Sequence, residues 1–202
     1  SRHCSQAVPN DLCSGATPLY EINDINFANS TSESFQQLGI CSQKSDFGIW
    51  YSIEGNDSIA HIYGDIDYSS YLYYSLFSGD CNSLKCISNG QLYNPEILKF
   101  RADKGKKYYL LLYKQYQIQP ETYLIRLRFV PPGLNDYCTG AKEIYCGDNI
   151  EFNSDYYSKD SISRCLEDKS SAWFKINGSD ENDKVFKMSY DFKNIDFAVE
   201  IF

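Results

Sequence analysis

The sequence predicts an all-β protein made of tandem antiparallel β-sandwich modules with jelly-roll-like connections, the second module incomplete. Three observations carry this. The 202 residues include 18 Tyr and 12 Phe but a single Met, and aromatic side chains favour the pleated, half-buried surface of a sheet. Short aromatic and branched runs alternate with turn-forming Ser, Asn, Asp and Gly. Finally, "IWYSIEGND" (Ile49–Asp57) returns as "AWFKINGSD" (Ala172–Asp180), 123 residues further on.

The strands of the first copy read in order as "FGIWYSIEG", "IAHIYGD", "YLYYSLFSG", "EILKFRAD", "KKYYLLLYKQ" and "ETYLIRLRFV". Alternation is clearest in the last, with Tyr123, Ile125, Leu127 and Phe129 on one face and Arg126 and Arg128 on the other. In the third, Leu72, Tyr74 and Leu76 share one face, and Tyr71, Tyr73, Ser75 and Phe77 share the opposite one. One of those faces belongs to the core. The other is an aromatic stripe.

The repeat extends upstream of the Trp strand. Asn10, Asp11, Cys13, Gly15, Ala16, Tyr20, Ile25 and Phe27 recur 125 residues later as Asn135, Asp136, Cys138, Gly140, Ala141, Tyr145, Ile150 and Phe152. Cys41 matches Cys165, and Trp50 matches Trp173. A register held this long implies tandem copies of one unit. The expected organisation is a lead segment 1–9, module one at 10–130 and a truncated module two at 131–202. Pro131-Pro132-Gly133 would form a short, stiff joint that favours a rod. Module two lacks the counterpart of residues 78–130, so either a longer chain or another chain is expected to supply those strands.

A formal net charge of −8 argues against a nucleic-acid partner, because phosphate binding needs clustered Lys and Arg. Lys104, Lys106 and Lys107 around Gly105 read as a hairpin turn. No run of 18 apolar residues occurs, so no membrane insertion is expected. A start at Ser1-Arg2-His3-Cys4, with no signal peptide, reads as a mature product or a fragment. Eight Cys with two His and no C-x-x-C pair point to disulfides in an oxidising compartment rather than to zinc. Sequons at Asn29, Asn56 and Asn177 agree with an extracellular or cell-surface glycoprotein.

Equivalent positions suggest equivalent bridges: Cys13 with Cys41, Cys138 with Cys165, and Cys81 with Cys86 on a tight turn. Cys4 and Cys146 are left over, either bonded to each other or to another chain, or as free thiols.

The order N-D-x-C, a second Cys before a W-Y/F strand, the turn "FSGDCNSLKC" (Phe77–Cys86) and a following Gly-Lys-Lys-Tyr-Tyr strand resemble the tandem extracellular β-sandwich repeats of large secreted bacterial and protist surface proteins. They are similar to bacterial pre-peptidase C-terminal domains. The resemblance implies a non-catalytic accessory or adhesive module found in arrays. It also implies that a Cys at the place of Cys146 bridges to a neighbouring strand, although "FKMSYD" offers no partner. Asp196 fits the family's Asp before its central strand, whereas Tyr71 occupies that place in module one.

Catalytic signatures are missing. His3 and His61 are far apart without ligand spacing, and no G-x-S-x-G, P-loop or Rossmann glycine pattern occurs. "GDIDYSS" and "SDENDK" match no EF-hand or RTX spacing and read as solvated turns. The expectation is therefore a non-enzymatic structural or adhesive protein of a rod, filament or surface array, with no cofactor and no metal. Its partners would be other copies or further modules. One alternative is a carbohydrate-binding module that uses Tyr71 and Tyr73 as its platform; another is an accessory region of a secreted hydrolase.

Overall fold

In the computed structural model, the described residues are 8–27, 30, 41, 47–94, 98–114, 122–145, 147–158 and 170–176. The chain separates into two compact units, Ser1–Pro131 and Pro132–Phe202.

The described part of unit 1 is all β apart from single 3-10 turns. Its strands are β1 (Thr17–Pro18), β2 (Ile22–Asn26), β3 (Phe47–Glu54), β4 (Ser58–Gly64), β5 (Leu72–Ser78), β6 (Lys85–Gln91), β7 (Leu98–Ala102), β8 (Lys107–Lys114) and β9 (Thr122–Val130). They form two sheets, ordered β1-β3-β8-β5-β6 and β2-β9-β4-β7. Antiparallel pairing joins β2 to β9, β3 to β8, β4 to β7 and β5 to β6. The strands of unit 1 thus form one antiparallel ribbon doubled at the β5–β6 turn and rolled up. Further pairings of β4 with β9 and β5 with β8 close the roll. This is the jelly-roll sandwich.

The alternation in the sequence decides what the roll encloses. Ile49, Ile53, Leu72, Leu76, Leu110 and Leu112 of the five-stranded sheet meet Ile25, Ala60, Ile62, Phe100, Ile125 and Leu127 of the four-stranded sheet in one buried cluster. On β9, residues 123, 125 and 127 are buried while Leu124, Arg126 and Arg128 are exposed, as the two-residue period requires. At one end of the core Lys114 Nζ donates to Tyr123 Oη at 2.6 Å and lies 5.1 Å from the ring centroid. Those two side chains link the sheets.

In unit 2 the described elements are two short strands, β10 (Lys142–Glu143) and β11 (Phe174–Lys175), with 3-10 turns at Cys138–Gly140 and Ser154–Tyr156. Local geometry from unit 1 recurs here. In unit 1, β1 runs parallel to β3 with Thr17 opposite Tyr51 and Pro18 opposite Ser52. In unit 2, β10 runs parallel to β11 with Lys142 opposite Phe174 and Glu143 opposite Lys175. The preceding turns carry the same hydrogen bonds: Ala16 N–H to Cys13 O and Ala141 N–H to Cys138 O, each 3.0 Å.

Candidate functional site

The outer face of the five-stranded sheet holds a second apolar layer. Trp50 of β3, Phe77 of β5 and Leu111 and Tyr113 of β8 are buried there together with Cys41. The Trp50 and Phe77 rings lie 5.5 Å apart. Two disulfides belong to this layer, Cys13–Cys81 and Cys41–Cys86. The expected pairs Cys13–Cys41 and Cys81–Cys86 are therefore wrong. Both bridges end on the β5–β6 hairpin, one in its turn and the other on β6, and each holds a different overlying segment.

Local geometry explains the exchange of partners. Asp80 organises the turn after Gly79, accepting Asn82 N–H at 2.9 Å and Ser83 Oγ–H at 3.0 Å. A register shift between Leu76 and Phe77 then sets Leu76 opposite Ser88 but Phe77 opposite Cys86. The skipped residue, Ile87, is exposed. Without this bulge the two-residue period would turn Cys86 toward the inner face; with it, Cys86 joins Phe77 on the outer face, within reach of Cys41. Ser75 fastens the same segment by donating its hydroxyl to Cys41 O at 2.9 Å.

Cys138 in unit 2 is exposed and carries a free thiol. That free thiol contradicts the expected Cys138–Cys165 bridge; Cys165 itself, Cys4 and Cys146 lie outside the described residues, as do the sequons at Asn29 and Asn177. Asn56 is exposed in the β3–β4 turn, where its Oδ1 accepts Ser58 N–H at 3.2 Å. Its amide is open to solvent.

The N-D motif does structural work in both units. Asp11 and Asp136 are buried. Asp136 accepts the Ser158 backbone N–H at 2.6 Å and the Ser158 hydroxyl. Asn135 donates from Nδ2 to Trp173 O at 2.9 Å and accepts Tyr157 Oη–H at 3.1 Å. Burial, with the Asp136 charge behind it, raises the Tyr157 pKa. In unit 1 Asn10 hydrogen-bonds Tyr51, whose phenol burial pushes up to about 12 despite that bond. The motif's glycine has a steric reason: a Cβ on Gly15 would lie 1.8 Å from Pro9 O, and one on Gly140 2.4 Å from Leu134 O.

The proposed tyrosine platform is only partly a strand face. Tyr73 lies on β5 and stacks on Tyr113 with centroids 5.6 Å apart. Tyr71 is outside the strand, in left-handed backbone at φ 48° after the 3-10 turn Tyr68–Ser70, and is exposed. Tyr68, which sequence reading passed over, is also exposed and packs edge-on against Tyr93 at 4.9 Å. Phe77, expected on the same stripe, lies within the buried disulfide layer. Tyr68 and Tyr71 are thus exposed just before β5, whereas Tyr73 is half-buried against the disulfide layer.

His61 is buried on β4, opposite Lys99 of β7 and Arg128 of β9. Those cationic neighbours oppose a metal ion there. Among the described residues no group of three or more His, Cys, Asp or Glu is placed to hold one. No described helix is long and apolar enough to cross a membrane.

Fold and cross-links together define a disulfide-stabilised jelly-roll β-sandwich domain. A scan against protein-family models finds no match, and no curated protein matches the chain. The paired cysteines point to an oxidising, extracellular-type environment.

Proposed function

We propose that this chain is a non-catalytic extracellular glycoprotein, a structural or adhesive component built from tandem jelly-roll modules and working as part of a rod, filament or surface array. The observation that carries the reading is the recurrence of the N-D-x-C-x-G-A turn, with the same strand pairing and hydrogen bonds in both units. Two disulfides binding overlying segments to one hairpin suit a domain that must keep its shape outside the cell. Exposed Asn56 provides a glycan acceptor. Further modules of a longer chain, or other copies of this one, are the partners this reading requires. Electron microscopy of native material tests it: elongated particles or periodic arrays are expected, and compact isolated monomers would overturn it.

A second reading, carbohydrate binding, draws on exposed Tyr68 and Tyr71, with half-buried Tyr73 following them on β5. Tyrosine rings stack on sugar faces while their hydroxyls stay wet. A glycan array that is positive for the wild type and blank for Tyr68→Ala with Tyr71→Ala would support it; binding unchanged by that pair would not.

A further inference from the structure

On the side of the four-stranded sheet turned away from the core, we infer a docking surface for an anionic polysaccharide, whose sulfate or carboxylate groups would meet a cluster of Arg and Lys side chains. Such a surface serves a module working singly as well as one in an array.

The pairing registers place the cluster. Alternate residues of β4, β7 and β9 fill the core, so the residues between them point away from it. One row across the sheet sets Arg128 of β9 beside His61 of β4, and His61 beside Lys99 of β7. The next row sets Val130 beside Ile59, and Ile59 beside Arg101. On the other side of the first row, Arg126 stands between Ile22 of β2 and Tyr63 of β4. Neighbouring strands are about 4.8 Å apart and alternate residues about 6.8 Å, so the four cationic side chains spring from a patch of about 10 by 14 Å. Arg126 and Arg128 are exposed, and Lys99 and Arg101 partly so. His61 lies buried among them, so contact with a ligand falls to the four longer side chains.

Charge on this face runs against that of the chain. Acidic residues outnumber basic ones by 27 to 19, and three of the chain's five Arg nevertheless meet here. Among the described outward positions of this sheet the acid is Asp24 of β2, one row beyond Arg126 and opposite Leu124. Asp103, just after β7, stands 3.8 Å from Arg101 Nε. Among the described residues, these two acids face four cations.

The partner follows from the donors and their layout. A guanidinium is a planar fork that meets a sulfate or carboxylate with two hydrogen bonds at once. Three such groups on an open sheet suit an extended chain with anionic groups at intervals better than one small ion. Duplex nucleic acid fits poorly, because its phosphates, one charge per about 1.7 Å, run on past the patch along a molecule of net charge −8. The disulfides place the domain in an oxidising, extracellular-type setting, where sulfated and uronate polysaccharides are found.

Calorimetry with the purified chain tests this, using heparin as a sulfated probe, polygalacturonate as a carboxylated one and uncharged dextran as the blank. Binding to at least one of the two polyanions is expected, weakening steeply as salt is raised. Heparin alone would assign sulfate, and polygalacturonate alone carboxylate. Binding to neither would overturn the inference, as would equal affinity for duplex DNA. Arg126→Gln with Arg128→Gln should weaken binding by at least about tenfold, through two lost charged contacts. Lys85→Gln with Lys104→Gln removes the same charge from exposed sites elsewhere and should change binding by less than about twofold. Equal losses in the two pairs would reveal general charge attraction and overturn the inference. Labelling of wild-type arginines with a dicarbonyl reagent needs no variant: the bound polyanion at about ten times its Kd should slow modification of Arg126 and Arg128 about tenfold. Unchanged labelling would overturn the inference. Tyr68→Ala with Tyr71→Ala should leave polyanion binding intact; its loss there would move the site to the tyrosines and overturn the assignment to this sheet. None of these measurements depends on whether native material forms rods, so polysaccharide docking and the array can fail separately.

Discussion

Removing the Cys13–Cys81 bridge separates the observed cross-links from the ones the repeat suggests. The bridge spans 68 residues and Cys41–Cys86 spans 45. Loop-closure entropy rises with the logarithm of loop length, so each bridge should contribute about 4 kcal/mol by restricting the unfolded chain. For a unit of this size, bounded by Ser1 and Pro131, about 4 kcal/mol corresponds to a fall in Tm of about 15 °C. A double-mutant cycle read by thermal melting makes the pairing visible. Cys13→Ser with Cys81→Ser should cost about what either single change costs, since all three variants lose one bridge. Cys13→Ser with Cys41→Ser should approach the sum, because two bridges are lost. Under the alternative pairing these outcomes trade places. Near-additive costs for Cys13 and Cys81, or a double variant melting within about 3 °C of the wild type, would refute the argument.

Gly140→Ala and Gly15→Ala should each destabilise their unit by about 2–4 kcal/mol in denaturant melts, because the new methyl group collides with a backbone carbonyl rather than a side chain. Tyr51, pushed up to about 12 by burial, stays neutral in the folded state where the unfolded phenol, at its ordinary 10.0, already ionises. Its contribution to stability is therefore complete below pH 10 and declines as pH rises from 10 to 12, by up to about 2.7 kcal/mol. Tyr51→Phe should remove that alkaline slope, as followed by urea unfolding at several pH values. Lys114→Met should cost about 1.5–3 kcal/mol through the lost charged hydrogen bond to Tyr123. A cycle with Tyr123→Phe should show strong coupling between the two.

Sequence and structure agree where the signal is local. The inward set of β9 is legible because a strand's side chains alternate whatever the strand pairs with, and Tyr123, Ile125 and Leu127 are buried as the alternation requires. Leu72, Tyr74 and Leu76 are legible for the same reason. The tyrosine platform was half legible: alternation placed Tyr73 correctly on β5. It could not anticipate that Tyr71 leaves the strand in left-handed backbone. Tyr68, next to the same turn, gave no periodic signal at all.

By itself, the sequence determined the β class, the oxidised state suggested by eight cysteines, and a motif that repeats along the chain. These follow from composition and from short-range period, which any segment expresses without knowing its neighbours. Only the tertiary structure decided which cysteines meet. Cys13 and Cys81 are joined because the chain rolls up as a doubled ribbon, bringing a hairpin tip to a segment 68 residues away. Cys86 reaches Cys41 because one bulged residue reverses the facing of β6. A disulfide needs two Cβ atoms about 4 Å apart, and that proximity is a property of the folded ribbon rather than of spacing along the chain.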